Sequence, residues 1–326
     1  MSRFAKYAWF VTGYTILVIL WGAVVRITGS GAGCGNHWPA CNGEILHRPE
    51  YIETMIELSH RLTSALAGFF VLIMLVWAFR KVFEHNQKLI RRMTVMTFIF
   101  ILIEGALGAA LVRFELVADN ASTARAVMIA LHLVNTLILL GFSTAAAWAA
   151  SQPNEVRFRG FSTDSTAILT GMLGILLVSA IGAITALGNT LFPSETLIEG
   201  IQADFDPNAH FLIQLRIWHP AIALATSGFL FWYGYRVVNR DDVTPQQTNH
   251  VNALFTVITL QVVVGFMAIF LLAPIWIQLS HLLLADVMWM VLVVMAGHAL
   301  TEPVSKQKRA QNPAEATLDE PVSAMA

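Results

Sequence analysis

Cysteine is almost missing from this chain: two in 326 residues, too few for a disulfide scaffold or a zinc cluster. No C-x-x-C-H cofactor-attachment motif occurs. Charge is scarce too, at 13% of residues, and 20 basic against 21 acidic side chains leave a net charge of −1, which gives no footprint for nucleic acid. The glycines between Gly29 and Gly35 suggest a phosphate loop, but no strand precedes them and no GK[ST] follows. The first apolar run lacks a small-residue cleavage pattern and is long enough to span a bilayer, so we expect a retained helix.

In place of charge there is hydrocarbon. The chain is 56% hydrophobic with mean hydropathy +0.63, which does not suit a water-facing surface and points to an all-α polytopic membrane protein. Scanning for apolar runs of about 20 residues predicts eight transmembrane helices: Ala8 to Val25, Met55 to Phe79, Met93 to Val112, Ala124 to Ala149, Ala167 to Leu187, Phe211 to Tyr235, His250 to Leu272 and Ile275 to Ala299. Pro274 lacks an amide hydrogen and is suited to starting the last of them.

Lys and Arg stay on the cytoplasmic side. They gather at Arg3 and Lys6, in the loops after the second, fourth and sixth spans, and in the tail at Lys306, Lys308 and Arg309, while the stretch from Gly188 to His210 holds none. Both termini are therefore expected in the cytoplasm, with the long loops Arg26 to Thr54 and Gly188 to His210 outside. Polar sequence with Pro303, Pro313 and Pro321 predicts a disordered tail over 301–326.

The two halves repeat. "GAVVRITGSG" from Gly22 resembles "GAITALGNT" from Gly182, and "IELSHRLTSALAG" resembles "RIWHPAIALATSG". "IEGALGAAL" from Ile103 pairs with "LQVVVGFMA" from Leu260, and "IALHLVNTLILL" from Ile129 with "IQLSHLLLADVM" from Ile277. Four helices per copy give parallel repeats related by an axis along the membrane normal. The expected fold is two pseudo-symmetric four-helix bundles, 1–150 and 151–300, joined near Ser151 to Ser165.

His60, His132, His219 and His281 fall one each on the second, fourth, sixth and eighth spans. Each lies a few residues past the outer start of its helix, roughly 8 to 14 Å deep at 1.5 Å per residue, so all four share one layer. Two histidines on facing helices of a four-helix unit supply the axial ligands of a six-coordinate haem, although imidazole pairs by themselves fix no particular metal. Glu57, one turn before His60, is the charged group that most needs a reason to be in a bilayer. It is either a proton acceptor or donor beside the site or a structural partner for Arg61. Its counterpart in the second copy is Arg216. Arg61 and Arg216 suit haem propionates or the interface; Glu104, with Gln261 as its counterpart, suits proton handling or an interhelical hydrogen bond. Asn135 and Asp286 are weaker cases of that kind. Cys34 and Cys41, with six residues between them, are expected to form a disulfide within the first outer loop. His37, His47, His85, His210, His250 and His298 read as surface residues at loops and helix ends.

The eight-helix repeat, "GAVVRITGSGAGCGNHWPACNG", the ELSHR stretch and the four single histidines together resemble the haem A synthase family of bacteria and mitochondria. The resemblance covers nearly the whole chain outside the tail. It implies oxidation of the ring methyl of haem O to the formyl group of haem A, for cytochrome oxidase biogenesis. It further implies a b-type haem held by His219 and His281, substrate haem received between His60 and His132, an important acid at Glu57, and iron as the metal bound by all four histidines. Cys34 and Cys41 match the family's first-loop cysteine pair. The Gly188 to His210 loop lacks the second pair of some members, which tells against disulfide exchange between the loops. The resemblance also implies the bacterial inner (plasma) membrane, haem O synthase and oxidase assembly factors as partners besides membrane lipid, and room for a homo-oligomer. Two other readings fit the residues: a bis-His membrane cytochrome trading electrons with quinone, disfavoured by one histidine per helix at one depth, and a transporter, disfavoured by unbroken runs at His60 and His132.

Overall fold

The computed structural model describes residues 1–44 and 51–304; His47 and the tail beyond 304 lie outside the described residues. Local chemistry sets the helix starts. The Ser2 hydroxyl accepts the Ala5 amide at 3.1 Å and opens α1 (Arg3–Ile27), and Ser122 does the same for α4 (Thr123–Ser151) through Arg125 at 3.2 Å. Each side chain satisfies one of the amides that a first helical turn leaves unpaired. Reciprocal capping boxes start α5 (Thr163–Leu191), with Ser162 and Ser165, and α9 (Pro245–Phe270), with Thr244 and Gln247. Between these run α2 (Ile52–Arg80) and α3 (Gln87–Arg113), and α10 (Ile275–Leu300) closes the set behind Pro274.

Seven helices, α1 to α5, α9 and α10, are long and apolar enough to cross a membrane. The sixth expected span is not one helix. It divides into α7 (Phe211–Gln214) and α8 (Trp218–Val238), joined by a turn at 215–217. Pro220 gives the reason: its ring would clash with the carbonyl four residues back, at Arg216, and it has no amide to donate, so an unbroken helix cannot run through both. Of the two pieces, α8 carries Trp218, His219, Tyr233 and Tyr235 and is not among the seven apolar helices. The loop before it is also more ordered than its sequence suggests, since 197–204 form a short helix, α6 (Leu197–Asp204).

The expected disordered tail does not begin at Thr301. Thr301–Pro303 forms a strand (β2) antiparallel to Val156–Phe158 (β1), with Arg157 opposite Glu302. Main-chain pairing with the segment joining the two repeats supplies partners that composition does not reveal.

In the first repeat α1 packs on α2 and α4, and α3 on α2 and α4; in the second, α5 packs on α8 and α10, and α9 on α8 and α10. Contacts of α4 with α5 and α10, and of α1 with α10, join the two sets. One close-packed cluster lies towards the N-terminal end of α1 and holds Phe4, Val11, Met74, Ile90 and Trp148. Another unites α4 with the second set through Leu137, Leu140, Ile168, Leu230, Leu254 and Trp289. At the opposite end, under the disulfide loop, the helices part around a cavity.

Candidate functional site

The cavity is about 1700 Å³, and its wall includes His60, His132, His219 and His281 together with Glu57, Glu104, Arg26, Arg61, Arg125 and Arg216. All four expected histidines therefore open on one space. A glycine on a neighbouring helix backs each ring: a Cβ on Gly22 of α1 would come within 3.0 Å of His60, on Gly108 of α3 within 3.8 Å of His132, on Gly182 of α5 within 2.8 Å of His219, and on Gly265 of α9 within 3.1 Å of His281. At three of these positions a methyl group would push the imidazole aside. The four glycines occupy matching places in the repeat segments, so the signal was present in the sequence, but without the fold nothing said which ring each would meet.

In the second repeat the rings of His219 and His281 face each other with centroids 6.2 Å apart and planes at 79°. The Nδ1 of His219 lies 3.2 Å from the Val178 carbonyl, a partner that makes it the protonated nitrogen and leaves Nε2 with a lone pair. The Nε2 of His281 is 3.3 Å from the Gln261 amide nitrogen. In the first repeat Nδ1 of His132 lies 3.3 Å from a Glu104 carboxylate oxygen, at ion-pair distance but off a hydrogen-bond line. Glu104 also accepts from Asn135 at 2.6 Å and from the Thr136 hydroxyl, which explains Asn135. Asp286 is fully buried, with neither carboxylate oxygen partnered, and is absent from the cavity wall.

Glu57 is 3% exposed and fully engaged. One oxygen accepts the Cys34 amide at 2.8 Å, the other accepts Nε of Arg61 at 3.0 Å and also its Nη2. Arg61 passes the connection on, donating to the carbonyls of His37 and Ala40 at 2.7 Å each. Thr54 binds the Gly33 carbonyl at 2.7 Å, and a side chain on Gly33 would strike the Glu53 backbone at 2.5 Å. The first outer loop is thus clamped to the start of α2, closed by the bond between Cys34 and Cys41, and laid with Trp38, Pro39 and Ala40 against the cavity.

Arg216 holds Asp204 at 2.9 Å and Asn189 at 3.0 Å. Burial pushes the Asp204 carboxyl above its usual range, against the pull of Arg216. His37 and His85 are exposed as expected. His250 and His298 are not lone surface residues: their rings stack at 5.1 Å, and His298 accepts the Trp148 indole N–H at 3.2 Å, at the end of the molecule far from the cavity. His210 caps α7, accepting the Leu212 amide at 3.3 Å between the rings of Phe192 and Phe211. Among the described residues no group of three or more His, Cys, Asp or Glu side chains could hold a bare metal ion.

Apolar helices around a cavity whose wall carries four imidazoles define a multi-pass membrane protein with an internal cavity. Residues 5–293 match the profile of the cytochrome oxidase assembly protein family, and the chain belongs to that family. It is 40% identical over 299 residues, 92% of its own length, to a protoheme IX farnesyltransferase of Thermus thermophilus, of which it spans 49%. It is 44% identical over 117 residues to the heme A synthase of Geobacillus kaustophilus, covering 34% of this chain and 35% of that one, and 41% identical over 113 residues to the heme A synthase of Bacillus mycoides, covering 34% and 36%. The chain thus spans about half the length of the first curated relatives it matches, and the shared stretch with each heme A synthase is about a third of either protein.

Proposed function

We propose that this protein is a haem A synthase, converting the ring methyl of haem O to the formyl group of haem A in the bacterial inner membrane with both termini in the cytoplasm. The observation that carries the reading is the pair of imidazole pairs opening on one apolar cavity, each ring backed by a glycine. On this reading α7 and α8 together make the sixth of eight spans. The chain is then two four-helix bundles, 1–150 and 151–300, and the first bundle receives haem O between His60 and His132. Names among the relatives on both sides of haem O, its maker and its consumer, support that substrate, and they lend no support to a quinone-linked electron carrier.

The second bundle fits a resident b-type haem. Two imidazoles, His219 and His281, open on one apolar cavity with ring centres 6.2 Å apart. With only two side-chain donors there, the other ligands have to come from a macrocycle. Such a group would supply one-electron transfer. The protein's own share is fixed by its residues. His219 and His281 would hold the iron, with Val178 fixing the His219 tautomer and apolar wall around the site. In the first bundle Glu104, next to His132, is placed to take a proton from its Nδ1 or to hold that proton in place. Glu57 binds the first outer loop through the Cys34 amide and would serve as the acidic group of the methyl oxidation.

The test is pigment analysis of purified protein with each histidine replaced in turn. Loss of the resident absorption bands on replacing His219 or His281, and loss of haem A formation with those bands intact on replacing His60 or His132, is the expected result. Unchanged bands and porphyrin stoichiometry in all four variants would overturn it.

A further inference from the structure

Two of the four arginines on the cavity wall have an anion. Arg61 has Glu57 and Arg216 has Asp204. Arg26 and Arg125 make no such pair: among the described residues neither comes within ion-pair distance of a carboxylate, although the charge of the exposed Asp119 reaches Arg125. Arg26, in the last turn of α1, spends its donors on neutral groups across the repeat boundary, the Ala186 carbonyl and Thr190 hydroxyl at 2.8 Å each and the Gln278 side-chain oxygen at 2.9 Å. Arg125, in the first turn of α4, is 3% exposed, donates to the carbonyls of Ala118 and Asn120, and keeps its buried Nε without a partner. Both line the cavity, and they are close enough for their charges to repel.

A buried cation such as Arg125, with the like charge of the partly buried Arg26 acting near it, is costly in apolar surroundings unless an anion joins them. The polar partners they do have orient the guanidiniums without neutralising them. Their height is informative as well. Arg26 lies four residues beyond Gly22, which touches His60, and Arg125 lies seven residues before His132, so the charges stand about 6 and about 10 Å along the helix axes from the ring layer. Nothing of this kind recurs in the second repeat, where Ala186 and Pro274 occupy the corresponding places.

Resting on the reading of haem O as substrate, we infer that Arg26 and Arg125 form a subsite for the two carboxylates of that porphyrin, which fixes its rotation about the axis through His60 and His132 and so decides which edge meets the reacting side of the cavity. A guanidinium binds a carboxylate through paired N–H donors, and the unpartnered Nε of Arg125 is one such donor.

The experiment titrates the purified full-length protein with haem O and with its dimethyl ester, in which both carboxylates are blocked, following the Soret band. The expected result for the unmodified protein is diacid binding at least tenfold tighter than diester. Arg26→Gln and Arg125→Gln should each remove most of that ratio while leaving diester affinity in place, which also shows that the variants fold. Arg26→Lys and Arg125→Lys should recover part of it, and Arg91→Gln, which removes a cation far from the cavity, should leave it intact. Equal binding of diacid and diester by the unmodified protein, or a ratio unaffected in both glutamine variants, overturns the subsite alone. Were the pair holding a phospholipid phosphate, the variants would lose bound phosphorus and keep the ratio, which also overturns it. Binding of neither porphyrin would overturn the substrate reading itself.

Discussion

Where the first repeat places Glu57 one turn before His60, the second places Arg216 before His219; where the first sets Glu104 against His132, the second sets Gln261 against His281. The backbone scheme is shared, down to the glycine behind each ring. The difference is charge. Carboxylates beside imidazoles can take up and release protons, whereas an amide at the same place only holds a ring still. On the proposed reading one copy handles protons and the other holds a group in place; the outer loops differ as well, the first being bonded through Cys34 and Cys41 and the second held by Asp204 and Arg216.

The most severe way to break that contrast is at the histidines. Replacing His219 or His281 by Ala should remove the resident pigment outright, while the same change at His60 or His132 should abolish haem A formation and leave that pigment, both read by absorption and extraction. Next is Glu57. Glu57→Ala should leave haem content largely intact and reduce haem A formation at least a hundredfold in an oxidase-assembly assay, whereas Glu57→Gln keeps an acceptor for Cys34 and Arg61. Recovery of activity by the glutamine variant would assign Glu57 to holding the loop and not to moving a proton; full activity of the alanine variant would remove it from the mechanism.

Glu104→Gln makes the first repeat imitate the second at that point. Changing the group behind a ligand histidine lowers activity about 10- to 100-fold, and that is the expected drop, with substrate affinity held within a few-fold. No drop would mean that the two repeats do not differ in proton handling at this position. The glycines give a graded set. Alanine at Gly182, where its Cβ meets His219 at 2.8 Å, should lower haem content most, Gly22 and Gly265 should follow, and Gly108, with 3.8 Å of clearance, should tolerate it. An inverted order would show that the rings are not seated against those helices. The mildest change is Cys34→Ser with Cys41→Ser, where loss of a short closed loop is worth about 2–3 kcal/mol; Glu57, Arg61 and Thr54 still hold the loop to α2, so lowered thermal stability with activity largely kept is expected.

Much of this was legible beforehand because hydrophobic length and single histidines on apolar runs are strong local signals. Most of the helices came from them, as did the expectation that His60, His132, His219 and His281 share one layer as two pairs; that all four open on one cavity was not expected. The division at Pro220 was legible in principle, yet the apolar run across it hid the break, since hydropathy does not register a lost amide or a ring clash. Arg26 and Arg125 were passed over because they stand at helix ends, where arginine ordinarily reaches for water. Likewise, a polar tail gives no hint that Thr301 will find strand partners at Phe158.

The sequence by itself determined what has to be buried and how often: apolar segments that cannot face water, a twofold pattern, and four imidazoles that need partners inside it. Only the tertiary structure decided which groups meet. Pairing depends on distances of a few ångströms between residues far apart in the chain, such as Glu57 with Cys34, Glu104 with His132, and Arg26 with Gln278. In a low-dielectric interior those distances separate a satisfied charge from one that still needs a ligand.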